Sequence, residues 1–529
     1  MTFTGTLLPY QPEAVDRMCQ RGKVLVAYDL GLGKTVITIA AIERLMDENK
    51  VSEPGLIICL SSLKYQWANQ IEKFTNGTSK ALVIDGTPAK RAQQYEDAFN
   101  WRATGVDYVV LNYEQVVNDW EYIKRLPRGF VVLDEATAIK SFKSKRSKAV
   151  KRLINAPYRF ALTGTPIENG KPEELYSIMQ FVDANVLGRF DIFDKSFIVR
   201  NNWGGVERYR NLGTLHNVMK EAAVRKAQKD PDVAPYLPES IHKDPIKLVL
   251  DRKGSKLYTR VAQDLLNDLD EAQTVFGASF NLIAHYGYEN KGGGPEDELR
   301  GRLMSKIGCL KMLCSHPDLL RTSAAKFKLM AGEGSAYANS LVEEGALDNV
   351  EGSPKLDYLI QYVKDFLEQD EANKVVIFAT YVDMLDKISE ALGLDRCRLY
   401  SGKLDAKTKE DNKVAFNEDP TIRVLISSDA GGYGVDLPAA NLLINYDLPW
   451  SSGAAIQRNG RIKRASSTWG TIIIQDILIA GSIEERQHEA LQFKTSVADA
   501  VIDGEGISEE GGIDMSISSL KQFLMGSSV

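Results

Sequence analysis

The amino-acid sequence predicts an α/β protein with two parallel-sheet lobes and a helical insertion between them. In two stretches of the chain, short β-branched runs alternate with amphipathic helical segments, a pattern typical of a parallel sheet covered by helices. Several runs are apolar throughout, as expected for strands that are buried on both faces. The region between the two stretches, 170–350, has few strand signals and is predicted to be mainly helical.

The predicted strands form two groups along the chain. The first stretch has its runs at 24–28, 56–60, 81–84, 108–112, 130–134 and 159–163. The second has them at 375–380, 397–401, 423–428, 442–447 and 471–478. Gly- and Ser-rich composition predicts exposed loops or hinges at 287–297 and 332–353. We therefore expect lobe one at 1–240, and within it a helical protrusion after about 170. A helical insertion and linker should follow at 241–353, then lobe two at 354–503 and an acidic tail at 504–529.

Composition excludes several classes of protein. Of the 529 residues, 44% are hydrophobic and 26% are charged, which argues against a disordered chain, a collagen or a small disulfide scaffold. No apolar run approaches 18 residues, so we expect no membrane span. Five cysteines in so long a chain indicate a reducing compartment. We expect a cytoplasmic protein of a bacterial, archaeal or viral host, nuclear only in a eukaryote, and a monomer when free.

The strongest local motif lies between the first predicted strand and an apolar-periodic helix. It consists of Asp29, Leu30, Gly31, Leu32, Gly33, Lys34 and Thr35. In this context the glycines let backbone N–H groups approach phosphate oxygens, and the helix N-terminus adds positive potential. Lys34 would reach the β- and γ-phosphates, and the Thr35 hydroxyl would bind magnesium. The alternative is a Gly-rich turn without a ligand.

A pair of carboxylates ends the predicted strand at 130–134. Asp134 and Glu135 would lie at the carboxyl edge of a parallel sheet, where ligands bind. Asp134 would hold the magnesium ion, and Glu135 would orient or deprotonate the attacking water. The alternative is a helix N-cap, which is a common role for such residues.

An arginine-rich segment, 457–464, is the third motif. We expect Arg458 and Arg461 to share one helical face, because residues three apart are neighbours on a helix. Guanidinium groups suit the charge that develops on a transferring phosphoryl group, and Arg464 is a further candidate. The alternative is a solvated basic helix.

These motifs, in this order, resemble those of superfamily-two helicase-like ATPases, and their details resemble the Swi/Snf family of double-stranded-DNA translocases. Further matching segments are 7–11 (the adenine-reading Q motif), 56–74 (motif Ia), 163–169 (motif III), 309–317, 374–380 (motif IV), 427–437 (motif V) and 482–494. The sequence departs from the family at Leu8 and Asp429, where arginine is usual.

The resemblance implies two RecA-like lobes that use ATP and Mg²⁺. For ATP binding it adds Tyr10, Gln11, Gly434 and Asp436 to the residues above. For coupling of the nucleotide to lobe motion it points to Thr163, Gly164 and Thr165. For DNA contacts it points to Lys64, Tyr65, Ser427, Ser428, Gly431 and Gly432.

A basic segment supports the DNA expectation independently. Residues 140–152 carry seven positive charges and no acid, among them Lys140, Lys143, Lys145 and Arg146. Such a cluster can displace counterions from a phosphate backbone, although a solvated helix face is the alternative. No base-reading module is visible, so we expect little sequence preference.

The expected function is therefore a DNA-dependent ATPase that translocates along double-stranded DNA and remodels or displaces bound proteins. A strand-separating or branch-remodelling helicase shares the same motifs and stays open. Two other hypotheses are a nucleotide-gated DNA-binding module that barely hydrolyses ATP, and a subunit of a larger machine with a protein partner.

Overall fold

The computed structural model describes residues 2–200, 206–276, 295–329, 333–393, 395–429, 435–503, 521 and 524. The strands are β1 Lys23–Tyr28, β2 Gly55–Cys59, β3 Ala81–Val83, β4 Tyr108–Asn112, β5 Phe130–Asp134, β6 Tyr158–Leu162, β7 Ile198–Arg200, β8 Val206–Tyr209, β9 Ala223–Lys226, β10 Glu239–His242, β11 Ile246–Leu248, β12 Val375–Phe378, β13 Cys397–Tyr400, β14 Val424–Ser427, β15 Leu442–Asn445 and β16 Thr471–Ile479.

Helices cover both sheets and build the segment between them. They are α1 Pro12–Arg21, α2 Lys34–Asp47, α3 Lys64–Thr75, α4 Pro88–Phe99, α5 Trp101–Thr104, α6 Tyr113–Asn118, α7 Trp120–Ile123, α8 Lys145–Val150, α9 Pro172–Val182, α10 Ala184–Leu187, α11 Phe190–Phe197, α12 Leu212–Met219, α13 Arg252–Phe276, α14 Pro295–Ser315, α15 Asp318–Leu329, α16 Ala336–Glu343, α17 Pro354–Gln369, α18 Val382–Leu392, α19 Ala406–Glu418, α20 Ser452–Asn459 and α21 Ile483–Ile502.

Lobe one is a parallel sheet with the strand order β3-β4-β2-β5-β6-β1-β9. Apolar side chains pack on both of its faces and form two core clusters. Strands β5, β6 and β1 are direct neighbours in this order, with Asp134 paired to Leu162 in register. The three motifs that follow these strands therefore emerge side by side at one edge of the sheet.

Lobe two is a second parallel sheet, ordered β10-β16-β15-β12-β14-β13, and β11 also pairs with β16. Its core lies on both sheet faces, while α13 to α16 build a separate helical cluster. The two parallel-sheet lobes with helices between them confirm the predicted fold class, and each of the predicted runs contains a strand.

The region 170–350 is less helical than its sequence predicts. It contains β7 to β11, of which β9 extends the first sheet and β10 and β11 extend the second. These strands are three or four residues long, and the partly exposed β9 and β10 lie at sheet edges. Edge strands keep polar side chains and therefore lack the apolar signal of central strands.

The two predicted loops and the tail are only partly covered by the described residues. The predicted loop at 332–353 contains α16, and α14 already begins at Pro295, inside the other predicted loop. Residues 277–294 and most of 504–529 lie outside the described residues. In the tail, Leu524 is buried in the helical cluster and Lys521 pairs with Asp270 of α13.

Candidate nucleotide-binding site

The phosphate loop connects β1 to α2. Gly31 and Gly33 have φ values of +80° and +81°, a left-handed conformation that glycine adopts without strain. Gly33 is also the residue that caps the N-terminus of α2. Backbone N–H groups at a glycine-rich loop and a helix N-terminus form an anion-binding site, so the loop has the local structure that phosphate binding requires.

Lys34 is folded back onto this loop. Its ammonium group donates to the carbonyl oxygens of Tyr28 at 2.9 Å and Asp29 at 3.2 Å. Burial lowers its pKa, and the nearby carboxylates of Glu135 and Asp134 oppose that shift. The ammonium group therefore lies within electrostatic reach of the carboxylates at the end of β5, while Thr35 is half-buried in the first turn of α2.

Asp134 is held by two hydrogen bonds at the end of β5. Its Oδ2 accepts from the indole Nε1 of Trp67 at 2.8 Å, and its Oδ1 accepts from the backbone N–H of Glu135 at 3.0 Å. The Tyr113 hydroxyl donates to the Asp134 carbonyl at 2.8 Å. Burial raises the pKa of Asp134, and the Trp67 hydrogen bond and the Lys34 charge oppose that shift.

Glu135 has a strained backbone. Its φ is +49°, which is uncommon outside glycine, and such strain clusters at functional sites. Its Oε2 is buried and has no hydrogen-bond partner within the described part of the chain. Burial, followed by the Asp134 charge, raises the pKa of Glu135, while Lys34, Arg461 and Arg464 lower it. The arginines of lobe two therefore act on the carboxylate of lobe one.

Arg464 lies directly against the phosphate loop. A Cβ atom built on Gly31 would be 3.0 Å from an Arg464 guanidinium nitrogen. That guanidinium also pairs with Asp436 at 2.8 Å, and Arg461 is buried, with a 3.5 Å hydrogen bond to the Val435 carbonyl. Arg461 and Arg464 thus bring positive charge from lobe two to the motifs of lobe one.

Arg458 is directed into its own lobe instead. Its guanidinium pairs with Asp429 and donates to the Asp447 carbonyl at 2.5 Å, and only 2% of its side chain is exposed. The expectation that Arg458 and Arg461 share a helical face is wrong, because α20 ends at Asn459. The Asp429 carboxylate, which departs from the family pattern, is the partner of Arg458.

Motif III joins the two lobes behind the phosphate loop. The Thr163 hydroxyl accepts from the Thr165 N–H at 3.1 Å, and Gly164 packs against Leu30. The same Leu30 side chain approaches Gly460 of lobe two. One side chain of the phosphate loop therefore contacts both motif III and the arginine segment.

A second contact between the lobes lies at the start of α20. The Glu168 carbonyl accepts from the Ser452 hydroxyl at 2.7 Å and from the Gly453 N–H at 3.3 Å. The Glu168 carboxylate pairs with Lys140. The basic segment, motif III and α20 are thus connected through one glutamate.

The Q-motif residues pack against the phosphate loop. The Gln11 side chain donates from Nε2 to the Leu32 carbonyl at 3.0 Å and accepts at Oε1 from the Leu8 N–H at 2.8 Å. Burial raises the pKa of Tyr10 to about 12. The Tyr10 ring lies 6.1 Å from that of Tyr236, an aromatic neighbour that the sequence pattern did not indicate.

The candidate DNA contacts fall into exposed and buried groups. Lys64 is buried and its ammonium group donates to the Ile84 carbonyl and to Asp85, at 2.8 and 2.7 Å. The DNA contact of Lys64 stays a prediction, and a contact made by its ammonium group would replace these two bonds. Tyr65 is 56% exposed and remains accessible.

Two of the DNA-contact candidates in motif V are buried. Ser427 and Ser428 are buried, and the Ser427 hydroxyl donates to the Ser428 carbonyl at 3.1 Å. The expected contacts are of the backbone-donor kind, so the burial of these side chains leaves them a prediction. The other motif V candidates, Gly431, Gly432 and Gly434, lie outside the described residues.

The basic segment retains an exposed set of cations. Lys143, Lys145, Lys148 and Arg152 are exposed, whereas Lys140 pairs with Glu168 and Arg146 pairs with Glu114. Burial lowers the pKa of Lys151 to about 8. Four of the seven cations of this segment are therefore exposed, and the paired Lys140 and Arg146 are partly exposed.

Sequence reasoning missed several residues of the site. Trp67 and Tyr113, which hold Asp134, are separated from it by 67 and 21 residues, and no local pattern connects them. Asp29 is likewise fixed by a distant residue, Arg225 of β9.

Within the described residues, no helix is both long and apolar enough to cross a membrane.

Two family models and several known proteins match this chain. The family model "SNF2-related domain" matches residues 10–319, and "Helicase conserved C-terminal domain" matches residues 354–466. The human SWI/SNF-related matrix-associated actin-dependent regulator of chromatin subfamily A member 1 is 26% identical over 90% of this chain. The chicken DNA repair and recombination protein RAD54-like is 26% identical over 91% of it.

The chain spans only part of these relatives, 41% of the human protein and 64% of the chicken protein. Among solved structures, the Pyrococcus furiosus Hef helicase domain has a TM-score of 0.51 at 17% identity, covering 91% of this chain and 98% of that chain. This likeness concerns the fold alone.

Proposed function

Because this chain belongs to the SNF2-related family of helicase-like ATPases and is an ATP hydrolase, we propose that it couples ATP hydrolysis to translocation along double-stranded DNA. The observation that carries this proposal is the placement of Arg461 and Arg464 of lobe two at the phosphate loop and carboxylates of lobe one. A nucleotide bound there is contacted by both lobes, so its hydrolysis can change their separation.

The roles of the residues follow from their positions. Lys34 and the backbone N–H groups around Gly33 bind the β- and γ-phosphates. Glu135 orients the attacking water and accepts its proton, a role that suits a buried carboxylate oxygen with no partner among the described residues. Arg461 and Arg464 stabilise the charge that develops on the transferring phosphoryl group. Gln11 and Tyr10 read the adenine base.

Magnesium fits the oxygen donors that are present. Thr35 supplies a hydroxyl group and Asp134 a carboxylate, both hard ligands of the kind Mg²⁺ prefers. Across the described residues, no three His, Cys, Asp or Glu side chains are grouped as in an all-protein metal site. When bound, the ion would neutralise charge on the phosphates.

The exposed lysines of the basic segment support DNA as the polymer along which the protein translocates. Lys143, Lys145 and Lys148 lie on the surface without an acidic residue among them in the chain, and this segment follows Glu135 directly. The names of the relatives refer to chromatin and to DNA repair, which fits a duplex DNA substrate. Contacts to the backbone position a protein without reading its sequence.

The test is ATP hydrolysis measured without nucleic acid and with duplex DNA, single-stranded DNA or RNA. We expect strong stimulation by duplex DNA only, and none for Glu135→Gln, which keeps the shape of the side chain and loses its charge. Stimulation mainly by single strands or RNA would contradict the proposal and favour a strand-separating helicase. Equal rates in all four samples would favour a binding module.

A further inference from the structure

The carboxylate of Asp134 has one side-chain donor in the described structure, and that donor comes from α3. The Trp67 Nε1 lies 2.8 Å from Asp134 Oδ2. Trp67 is 2% exposed and packs among the apolar residues on one face of the first sheet. A buried indole N–H requires a hydrogen-bond partner, so the position of the ring and that of the carboxylate depend on each other.

Helix α3 presents this indole from a fixed position. Lys64, the first residue of α3, is buried and bonded to the loop after β3 through Ile84 and Asp85. The Tyr65 hydroxyl donates to the same Asp85 at 2.8 Å. These contacts hold the first turn of the helix, and Trp67 follows within that turn.

The hydrogen bonds leave a defined part of the carboxylate for a metal ion. Each Asp134 oxygen accepts one bond, Oδ1 from the Glu135 N–H and Oδ2 from Trp67. A carboxylate has about four lone-pair positions, so both oxygens keep capacity for a further ligand. With both oxygens anchored, the side chain cannot rotate about its Cβ–Cγ bond without losing a bond.

We propose that Trp67 is a positioning residue of the magnesium site, which holds Asp134 in its ligating orientation through the indole N–H. This inference rests on the proposed function, because it assumes that Asp134 holds the metal ion. Partners that orient a metal ligand typically change metal affinity by about 10–100-fold when they are removed.

The test is the affinity of the ADP complex for Mn²⁺, measured by electron paramagnetic resonance without DNA. We expect Trp67→Phe, which keeps an apolar ring and loses the donor, to bind Mn²⁺ about tenfold more weakly. Trp67→His retains a ring N–H and should bind with intermediate affinity. Trp101→Phe is the matched control, since Trp101 is half-buried on α5 and packs elsewhere, and it should bind like the wild type.

Two further measurements separate the possible failures. ADP binding in the presence of EDTA shows whether each variant is folded. If Trp67→Phe is not folded, the Mn²⁺ affinity of Trp67→His tests the proposal in its place. Wild-type Mn²⁺ affinity in Trp67→Phe, with lost affinity in Asp134→Asn, would overturn the role of Trp67 alone. Wild-type affinity in Asp134→Asn would instead overturn the metal role of Asp134.

Discussion

At the scale of single residues, the arginines of the 457–464 segment have different surroundings despite their similar spacing. Arg464 lies against Gly31 of the phosphate loop, whereas Arg458 is buried between Asp429 and Asp447 of its own lobe. Since a stabilising charge acts only where charge develops, Arg464 is the better candidate for catalysis and Arg458 for stability.

Replacing Arg464 or Arg458 by alanine should therefore affect different properties of the protein. Arg464→Ala should lower kcat at least tenfold and leave the unfolding midpoint near that of the wild type. Arg458→Ala should lower the free energy of unfolding by about 3–5 kcal/mol, because it breaks the ion pair with Asp429 and removes the guanidinium near the buried Asp447 carboxylate. Steady-state ATPase assays and urea titrations measure the two effects. The reverse pattern, with Arg464→Ala unstable and Arg458→Ala stable but inactive, would contradict this assignment.

Lys311 provides a prediction on pH. Burial lowers the pKa of this lysine to about 8, opposed by Asp447 and Glu484. In the unfolded chain a lysine has a pKa of about 10.4. Between these values the unfolded state binds more protons, so the free energy of unfolding rises with pH in that window. We expect it to rise more steeply in the wild type than in Lys311→Met between about pH 8 and 10.4.

Lys311→Met is a conservative comparison. The Leu448 carbonyl that accepts from Lys311 also accepts from Gln487, at 3.0 and 2.7 Å, so the substitution leaves no carbonyl without a partner. Urea titrations at several pH values measure the slope. Parallel curves for the two proteins would show that Lys311 does not carry this pH dependence.

The positions of the candidate catalytic residues in the fold were predictable from the sequence, whereas the residues that contact them were not. Lys34, Asp134 and Glu135 each follow an apolar strand, so a local pattern places them at the edge of the sheet. Trp67 touches Asp134 only because the sheet order brings α3 to β5, which no spacing in the chain reveals. The burial of Lys64 could not be predicted from the sequence either, because the two groups that accept its hydrogen bonds lie 20 and 21 residues away in the chain.

At the scale of elements, α20 contacts lobe one through its first turn. A Cβ atom on Gly453 would lie 2.4 Å from Glu168 Cγ, well inside van der Waals contact, so the approach of α20 to motif III requires glycine. We expect Gly453→Ala to lower kcat by holding the lobes apart, with ATP affinity changed little, since Lys34 and the phosphate loop are intact.

Gly470→Ala is the control for that variant, because a Cβ atom there meets nothing within 4 Å. Fluorescence energy transfer between dyes on the two lobes, with a non-hydrolysable ATP analogue, should show less closure for Gly453→Ala than for Gly470→Ala. Equal closure and equal kcat would show that this contact does not limit the approach of the lobes.

The basic segment around α8 gives a prediction on salt dependence. Lys143, Lys145 and Lys148 are exposed, and each phosphate contact contributes about 0.9 to the slope of log affinity against log salt. Replacing all three by glutamine should flatten that slope by up to about 2.7. The control replaces three exposed cations of α13: Arg252, Lys253 and Lys256. An unchanged slope in the first variant would remove α8 from the DNA-binding surface.

Most strands were predictable because they are central and apolar, and the exceptions have a physical reason. Among the described residues, β9 pairs with β1 on one side only, and β10 pairs with β16 on one side only. Their sequences, Ala223–Lys226 and Glu239–His242, mix apolar and charged residues as edge strands do. Their identity depends on the neighbouring strand rather than on their own composition.

At the scale of the whole molecule, α21 connects lobe two back to lobe one. It follows β16 of the second sheet, yet Ala500 and Val501 near its end are buried in a core cluster of the first lobe. Asp503 pairs with Arg225, which also pairs with Asp29 at the start of the phosphate loop. Any change in the angle between the lobes must therefore be accommodated along α21.

Displacement of a third strand from a triplex tests whether ATP hydrolysis moves this molecule along duplex DNA. A protein that tracks along the duplex removes the third strand without separating the other two. We predict ATP-dependent displacement by the wild type and none by Lys34→Ala, which should still bind DNA. If the ATPase of the wild type is stimulated by duplex DNA but no third strand is displaced, or if the duplex itself is separated, the protein does not translocate along intact duplex DNA.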